Sequence, residues 1–509
     1  MARTPLARVV QRAAATQFED GRRTTRRDLL KGAGAAAVGA SLAGSFASPA
    51  RAGRRDAPSV AVIGAGLAGL TAAYRLQKKG CLADVYEASG RVGGRCYSGR
   101  FGDGQIFEHG GELIDTGHKA MRGLARELGL ELDDLLRAEQ KGTEELGYFA
   151  GKRYTVAQMN SDFQPVLTQM AADVAAADYP TLYNSYTQRG YELDHMSVYD
   201  YIERYVPGGH HSPLGALLDV AYNIEYGAET TDQSSLNMLY LIGYSSPRAF
   251  TIFGESDEKF HIRGGNDQVT TALAAKLAGQ LVTNTPLVAI RLQNSGSYRL
   301  TFQNGAGSFD KVYDRVVLAL PFSILRSSVD YSRAGFNDVK REAIAEQGMG
   351  TNSKVNVQFK SRFWRDQGCN GETYSDLGYQ NTWEVSRAQP QPAGTLAWYT
   401  GGTAGLAVGD DSTESQVRGF LSEVNRVLPG AKAQWNGEAV RDYWPGYQWT
   451  KGSYSYWKVG QYTRFVGAEG ETSGNCWFCG EHTSIDYQGY LNGAVDTGET
   501  AATSLAKTL

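Results

Sequence analysis

The sequence predicts an α/β fold built from interleaved stretches of chain, on three observations. Four apolar residues, Val60–Ile63, run as a short strand into Gly64-x-Gly66-x-x-Gly69 and then into Leu70-Thr-Ala-Ala-Tyr-Arg-Leu76, whose apolar residues recur at helical spacing. A second strand, Ala83-Asp-Val-Tyr-Glu87, follows that helix and ends on a carboxylate. Far downstream, Val316-Val-Leu-Ala-Leu320 reads as a buried strand stopped by Pro321, and Cys476-Trp-Phe-Cys-Gly-Glu481 as a strand leading into a Gly-rich helix over 489–506.

The first unit also says what it is for. Gly64 permits the tight turn, Gly66 lets a pyrophosphate approach the backbone, and Gly69 lets helix and strand pack closely. The helix N-terminus offers unpaired N–H groups and the positive end of its dipole to phosphates. Glu87, 23 residues after Gly64, suits a bidentate grip on a ribose diol. Strand, helix, second strand and terminal carboxylate together point to a bound dinucleotide. The loop that follows, Arg91-Val-Gly93-Gly94-Arg95, carries two fixed cations and can hold a pyrophosphate from its far side, with each arginine a forked donor.

At 509 residues the chain exceeds one ordinary core, so two domains are expected. Residues 118–250 read as mostly helical, beginning with the amphipathic Met121–Leu130. Residues 259–332 return to the nucleotide-domain rhythm: Gly264-Gly265 opens a helix at 267–278, followed by strands at 281–282, 287–292 and 298–302. Residues 350–450 are strand-rich, with alternation in Lys354-Val-Asn-Val-Gln-Phe and Thr395-Leu-Ala-Trp-Tyr, and a helix at 413–427. The reading is a Rossmann-like nucleotide-binding domain from 57–117, 255–335 and 455–509, with a mixed-sheet and helical substrate domain inserted as 118–254 and 336–454.

The N-terminus reads as a processing segment. Thr25-Arg26-Arg27-Asp28-Leu29-Leu30-Lys31 has the twin-arginine pattern, a small-residue apolar run follows over 32–47, and Ala50-Arg51-Ala52 is an A-x-A cleavage signal. That apolar run is shorter than the roughly 20 residues a spanning helix needs. The expectation is a protein exported folded by the twin-arginine machinery to the periplasm or beyond, with residues 1–52 removed and no stable membrane anchor. The segment holds 9 Lys+Arg and 3 Asp+Glu, so the 51 and 54 of the whole chain become 42 and 51, a net charge of −9. An acidic surface disfavours nucleic acid and mildly favours cationic small molecules. Of the five cysteines, Cys476 and Cys479 have C-x-x-C spacing. On a strand, residues three apart face opposite ways, so two unrelated core thiols are expected and no metal site.

Taken together, Gly64-x-Gly66-x-x-Gly69, Glu87, Arg91-x-Gly93-Gly94-Arg95 and Gly480-Glu481…Gly489-Tyr490…Gly493-Ala494 resemble the flavin-containing amine oxidases, over about residues 57–507. The family includes monoamine, polyamine and L-amino acid oxidases. The resemblance implies that the dinucleotide is FAD, with Val288 presenting its backbone to the adenine. It implies that Lys354 holds a water against flavin N5, although on its own residues Lys354 merely shares a polar strand face with Asn356, Gln358 and Lys360. It implies that Tyr454 and Tyr490 form an aromatic cage over the flavin. The helix beginning near Gly489 would aim its positive end at the flavin pyrimidine ring. Ser453 stands where monoamine oxidases carry the cysteine bonded to FAD, so a non-covalent flavin is expected.

The activity so implied is oxidation of an amine to an imine, then an aldehyde, with oxygen reduced to hydrogen peroxide. In L-amino acid oxidases an arginine for the substrate carboxylate lies just after the glycine pair, where this chain has Glu112 and Leu113. That departure disfavours amino acids unless Arg248 or Arg263 serves instead. Polyamine oxidases place carboxylates in segments resembling those of Asp115 and Glu225, which would hold distal ammonium groups; both residues also read as ordinary surface or capping carboxylates. A di- or polyamine therefore leads, an aromatic monoamine follows, and an L-amino acid oxidase is the alternative. A desaturase-like or porphyrinogen-oxidising flavoprotein would share the nucleotide halves without the tyrosine pair. A homodimer is an admissible assembly.

Overall fold

A computed structural model describes residues 58–243 and 250–509. The twin-arginine segment and Arg248 lie outside those residues.

The organising element is a parallel five-stranded sheet. Its order is Cys476–Phe478, Arg315–Leu318, Val60–Ile63, Asp84–Tyr86 and Leu281–Val282, so apart from the adjacent pair Val60–Ile63 and Asp84–Tyr86 its neighbouring strands come from distant parts of the chain. Because strand residues alternate, each strand feeds both faces. Ala61, Ile63, Tyr86, Val316, Leu318, Cys476 and Phe478 belong to one apolar cluster, and Val60, Val62, Val85, Val317, Trp477 and Cys479 to the other. Cys476 and Cys479 thus lie in different clusters and both are free thiols, as the strand spacing requires. Burial pushes the Cys479 thiol up to about 12 and Cys476 higher still, so neither is a thiolate near neutral pH.

Against the second face pack the helices Leu67–Lys78 and Leu491–Ala506. Their close approach needs Gly498, where a Cβ would stand 2.5 Å from Ala68 O. Gly69 works likewise at the fingerprint turn, where a Cβ would come within 1.9 Å of Gly64 O. Gly64 itself has φ +102°, open to glycine at little cost.

Beside this layer stands a seven-stranded mixed sheet, ordered Trp435–Tyr443, Ser353–Phe359, Gly394–Thr400, Asn381–Glu384, Cys369–Ser375, Glu144–Phe149 and Lys152–Thr155. The last two strands interrupt the region 118–250, which is otherwise mostly helical as expected. They form a hairpin through Ala150 and Gly151, at φ 49° and 78°. The hairpin is held by parallel pairing to Cys369–Ser375, more than 200 residues away, which local periodicity cannot register. Beyond these and the short strand Leu132–Asp134, the regular structure of that region is helical, including Val156–Ala177, Val198–Tyr205 and Pro213–Tyr226. Helices Gln268–Lys276 and Thr413–Val427 fall within two residues of their expected bounds. No helix among the described residues is long and apolar enough to cross a membrane.

Candidate active site

A large cavity runs from the C-terminal edge of the parallel sheet to the face of the seven-stranded sheet. In open α/β folds that edge is where ligands bind.

The sheet-edge half is built from the fingerprint. Gly64, Gly66, Glu87, Gly94, Arg95, Gly480 and Glu481 all line it. Glu87 Oε2 accepts from Ala65 N at 2.8 Å, and Oε1 accepts from Ser89 N and Ser89 Oγ at 2.8 Å, so the carboxylate is fixed in orientation. No neighbour lies within 4 Å of a Cβ placed on Gly66, which leaves room for a phosphate. A dinucleotide fits these residues: an open glycine turn, an oriented carboxylate and an arginine on the opposite wall. Arg95 Nη1 donates to Glu481 Oε1 at 2.7 Å and to Ser453 O at 2.6 Å. Glu481 Oε2 accepts from Ser455 Oγ at 2.8 Å and from Gly489 N at 2.9 Å. Burial alone would raise the Glu481 carboxyl; the Arg95 guanidinium outweighs it and holds the group below its usual range.

Three residues of the cofactor set do not line the cavity, and of these Gly69 has the packing role expected of it. Gly69 packs helix on turn and does not line the cavity. Arg91 folds back on its own loop: Nη2 donates to Gly94 O at 2.9 Å, and the guanidinium lies 4.2 Å from the Tyr97 ring centre. Its cation shapes the glycine loop and is absent from the cavity wall. Val288 is also off the wall, which is formed there by Thr285 and Leu287. A register shift between Leu287 and Ala289 displaces the strand at that point.

The other half gathers the residues expected to carry the chemistry. Lys354, Tyr454, Tyr490 and Glu225 all line it. Tyr454 donates to Ile224 O at 2.8 Å, so the 3.0 Å contact between Tyr399 and Tyr454 hydroxyls is donated by Tyr399. Tyr490 donates to Glu225 Oε1 at 3.1 Å. Burial, then Tyr399 and Glu225, push the Tyr454 phenol well above its ordinary range, so it stays neutral. Lys354 Nζ donates to Glu112 Oε2 at 2.9 Å and to Gly110 O at 3.0 Å, and lies 5.1 Å from the Trp383 ring centre. Trp383 Nε1 holds the other Glu112 oxygen at 3.1 Å.

Asp115 is a correction. It does not line the cavity. Its carboxylate is buried, accepting from Ser256 Oγ at 2.9 Å and from Glu258 N at 2.9 Å. What it does is hold Glu258, which sits at φ 43° and does line the cavity. Arg263 is also excluded as a carboxylate anchor. Its side chain is 61% exposed and paired to Glu131 and Asp133, off the cavity wall.

Sequence reasoning missed Glu258 and Glu372, both on the wall. Tyr374 donates to Glu372 Oε1 at 2.7 Å. Burial first, then the charges of Glu372, Asp115 and Glu225, push the Glu258 carboxyl well above the ordinary carboxylate range. Burial also raises Glu372, against the opposing Tyr374 hydroxyl and Arg387. Glu145, just behind in the adjoining strand, is raised to about 8 by burial and by Glu372, Glu144 and Glu139. Strand alternation placing Glu372 and Tyr374 on one face was the available signal. No group of three or more His, Cys, Asp or Glu among the described residues is placed to hold a metal ion.

Comparison with known proteins places the chain in a family. Residues 67–506 match the family model described as flavin containing amine oxidoreductase. The L-amino acid dehydrogenase of Synechocystis sp. (strain ATCC 27184 / PCC 6803 / Kazusa) is 24% identical, over 87% of this chain and 94% of its own. The putrescine oxidase of Kocuria rosea is 25% identical, over 87% and 94%. Among solved structures, a putrescine oxidase carrying a redesigned cofactor-binding site superposes with a TM-score of 0.77 at 20% identity, covering 89% of this chain and 99% of that one.

Proposed function

The chain belongs to the flavin containing amine oxidoreductases, and from that premise we propose that it oxidises a di- or polyamine to an imine, hydrolysed to an aldehyde. Its cofactor is FAD, which when bound supplies the two-electron acceptor for the amine's α-carbon. The protein's own part is to bind, orient and exclude water. The observation that carries the substrate class is the acidic end of the cavity. Glu225, Glu258 and Glu372 line it, whereas the lining cations Arg95 and Lys354 are each committed to a carboxylate, Glu481 and Glu112. A distal ammonium meeting such a carboxylate gains a charge-assisted hydrogen bond.

The tyrosine pair suits the reacting end. Hydrogen bonds to Ile224 O and Glu225 pin the Tyr454 and Tyr490 rings, so their faces can flank a neutral amine without reorganising. Lys354, in reach of the cavity, is oriented by Glu112 and Gly110 O. Oxygen as final acceptor, with release of hydrogen peroxide, belongs to the same proposal. So does export of the loaded protein, supported by the twin-arginine pattern at 25–31 and the A-x-A at 50–52.

A peroxide-coupled screen of the purified holoenzyme tests the reading. Putrescine and longer polyamines are expected to be the best substrates, with benzylamine slower. Turnover of L-amino acids alone would transfer the chain to the L-amino acid oxidase reading. Mass spectrometry of the secreted form tests export, with Gly53 expected at its N-terminus.

A further inference from the structure

Two parts of the cavity wall that are distant in sequence share one buried anchor. His118 precedes the helix Lys119–Glu127, is fully buried and stands off the cavity wall. Its Nδ1 accepts from Asp115 N at 3.0 Å, so the ring proton is on Nε2, which lies 3.2 Å from Asp115 Oδ2. Its own backbone N–H donates to Asp115 O at 3.0 Å, closing a tight turn. Asp115 Oδ1 in turn accepts from Glu258 N at 2.9 Å, and Ser256 Oγ reaches both carboxylate oxygens, at 3.0 and 2.9 Å.

The same imidazole packs against the tyrosine pair's second ring. Its centre is 5.1 Å from that of Tyr490, tilted by 59°, and 5.7 Å from that of Tyr487, edge-on at 81°. Tyr490 N donates to Tyr487 O at 3.2 Å, so the two tyrosines belong to one turn and the imidazole touches both of its rings. Close by, Met121 N donates to Asn492 Oδ1 at 3.0 Å, tying the start of Lys119–Glu127 to the helix that Tyr490 precedes. Close-packed side chains cannot shift independently without opening a void or an overlap. His118 and Asp115 thus join Tyr490, at the reacting end, to Glu258, at the acidic end.

We propose that His118 is a positioning residue that sets the spacing between the Tyr490 ring and Glu258, and with it the length of diamine the cavity accepts. Its ring fixes one end, and its contacts with Asp115 fix the other. The proposal rests on the di- or polyamine reading and deepens it from a class of substrate to a length.

The test reads KM and kcat of the FAD-loaded enzyme for benzylamine and for a series of α,ω-diamines shorter and longer than putrescine. His118→Phe keeps a ring against Tyr490 and removes both nitrogens. It is expected to raise KM about three- to tenfold for the diamine wild type uses best, the worth of one neutral hydrogen bond, with kcat retained and the length preference flattened. Benzylamine, which has no second cation, should be left nearly unchanged. His118→Gln keeps a donor and an acceptor towards Asp115 but no ring. It is expected to recover part of the diamine KM, and to lower kcat/KM for benzylamine about two- to tenfold, the worth of one aromatic contact. Should either variant fail to fold, Ser256→Ala decides: by taking one hydroxyl from Asp115 it should raise the diamine KM and spare benzylamine. Wild-type turnover of diamines with equal losses on every amine, or an unshifted length profile in the variants, overturns this proposal alone. Wild-type enzyme that oxidises no diamine overturns the substrate reading and this proposal with it.

Discussion

Lys354 Nζ lies 2.9 Å from Glu112 Oε2, and both side chains are nearly sealed from solvent. The resemblance to amine oxidases emphasises the lysine alone, but here the ion pair is the unit. Burial would raise the Glu112 carboxyl, and the Lys354 charge outweighs that and lowers it. The sign follows: a depressed carboxyl contributes stability above its unfolded value near 4.5, lost as pH falls through the folded value. Lys354→Met leaves a buried, unpaired carboxylate, expected to cost about 3–5 kcal/mol in unfolding free energy. Adding Glu112→Gln should return much of it, as a double-mutant cycle by denaturant titration would show. In stopped-flow, Lys354→Met should slow reoxidation of the reduced enzyme far more than its reduction by amine. Equal effects on both halves would make the lysine purely structural.

The acidic end predicts discrimination by substrate. Glu258→Gln, Glu372→Gln and Glu225→Gln should each lower kcat/KM for putrescine about ten- to a hundredfold, the worth of a charge-assisted hydrogen bond. Benzylamine, which has no second cation, should lose much less. Asp115→Asn should act the same way more weakly and mainly through KM, because it frees the Glu258 backbone. Parallel losses on both amines would identify the carboxylates as scaffold.

A pH dependence follows from Glu258, Glu372 and Glu145. Their carboxyls are raised, Glu145 to about 8, so at low pH they are neutral, and Glu258 and Glu372 on the cavity wall then attract no cation. The ratio of kcat/KM for putrescine to that for benzylamine should therefore climb with pH as Glu258 and Glu372 ionise above the ordinary carboxylate range, since titration of the reacting amine largely divides out. A raised carboxyl also weakens the fold as pH rises from near 4.5 towards its folded value, so Tm should fall over that window. Glu145→Gln, away from the cavity wall, should flatten the Tm trend.

The flavin should leave the protein on acid precipitation. Ser453, at the position expected for a covalent link, is buried with its hydroxyl donated to Asn352 Oδ1 at 2.6 Å. Yellow colour retained in the washed pellet would contradict this.

Much of the sheet-edge half was legible because its chemistry is local. Gly64, Gly66 and Glu87 fall within one strand–helix–strand unit, and the turn, the open glycine and the oriented carboxylate follow from neighbours in sequence. Glu258 was illegible because its place is set by Asp115, over 140 residues earlier, together with a backbone twist no pattern announces. Asp115 was misplaced for the reciprocal reason. A carboxylate in the right segment cannot be told from one a shell behind until its partners Ser256 and Glu258 are known. Glu112 was read for the arginine it replaces, whereas its pairing with Lys354 crosses 242 residues.

The parallel sheet orders events during synthesis. Val60–Ile63 emerges early, yet its neighbour Arg315–Leu318 comes some 250 residues later, and the strand beyond that begins at Cys476. Gly480, Glu481, Gly489 and Tyr490, which close the cavity, come later still. A ribosome-bound chain short of these residues has a fingerprint turn but no pocket around it. Flavin capture is therefore a post-synthetic event, and a chain truncated before residue 480 should be produced colourless.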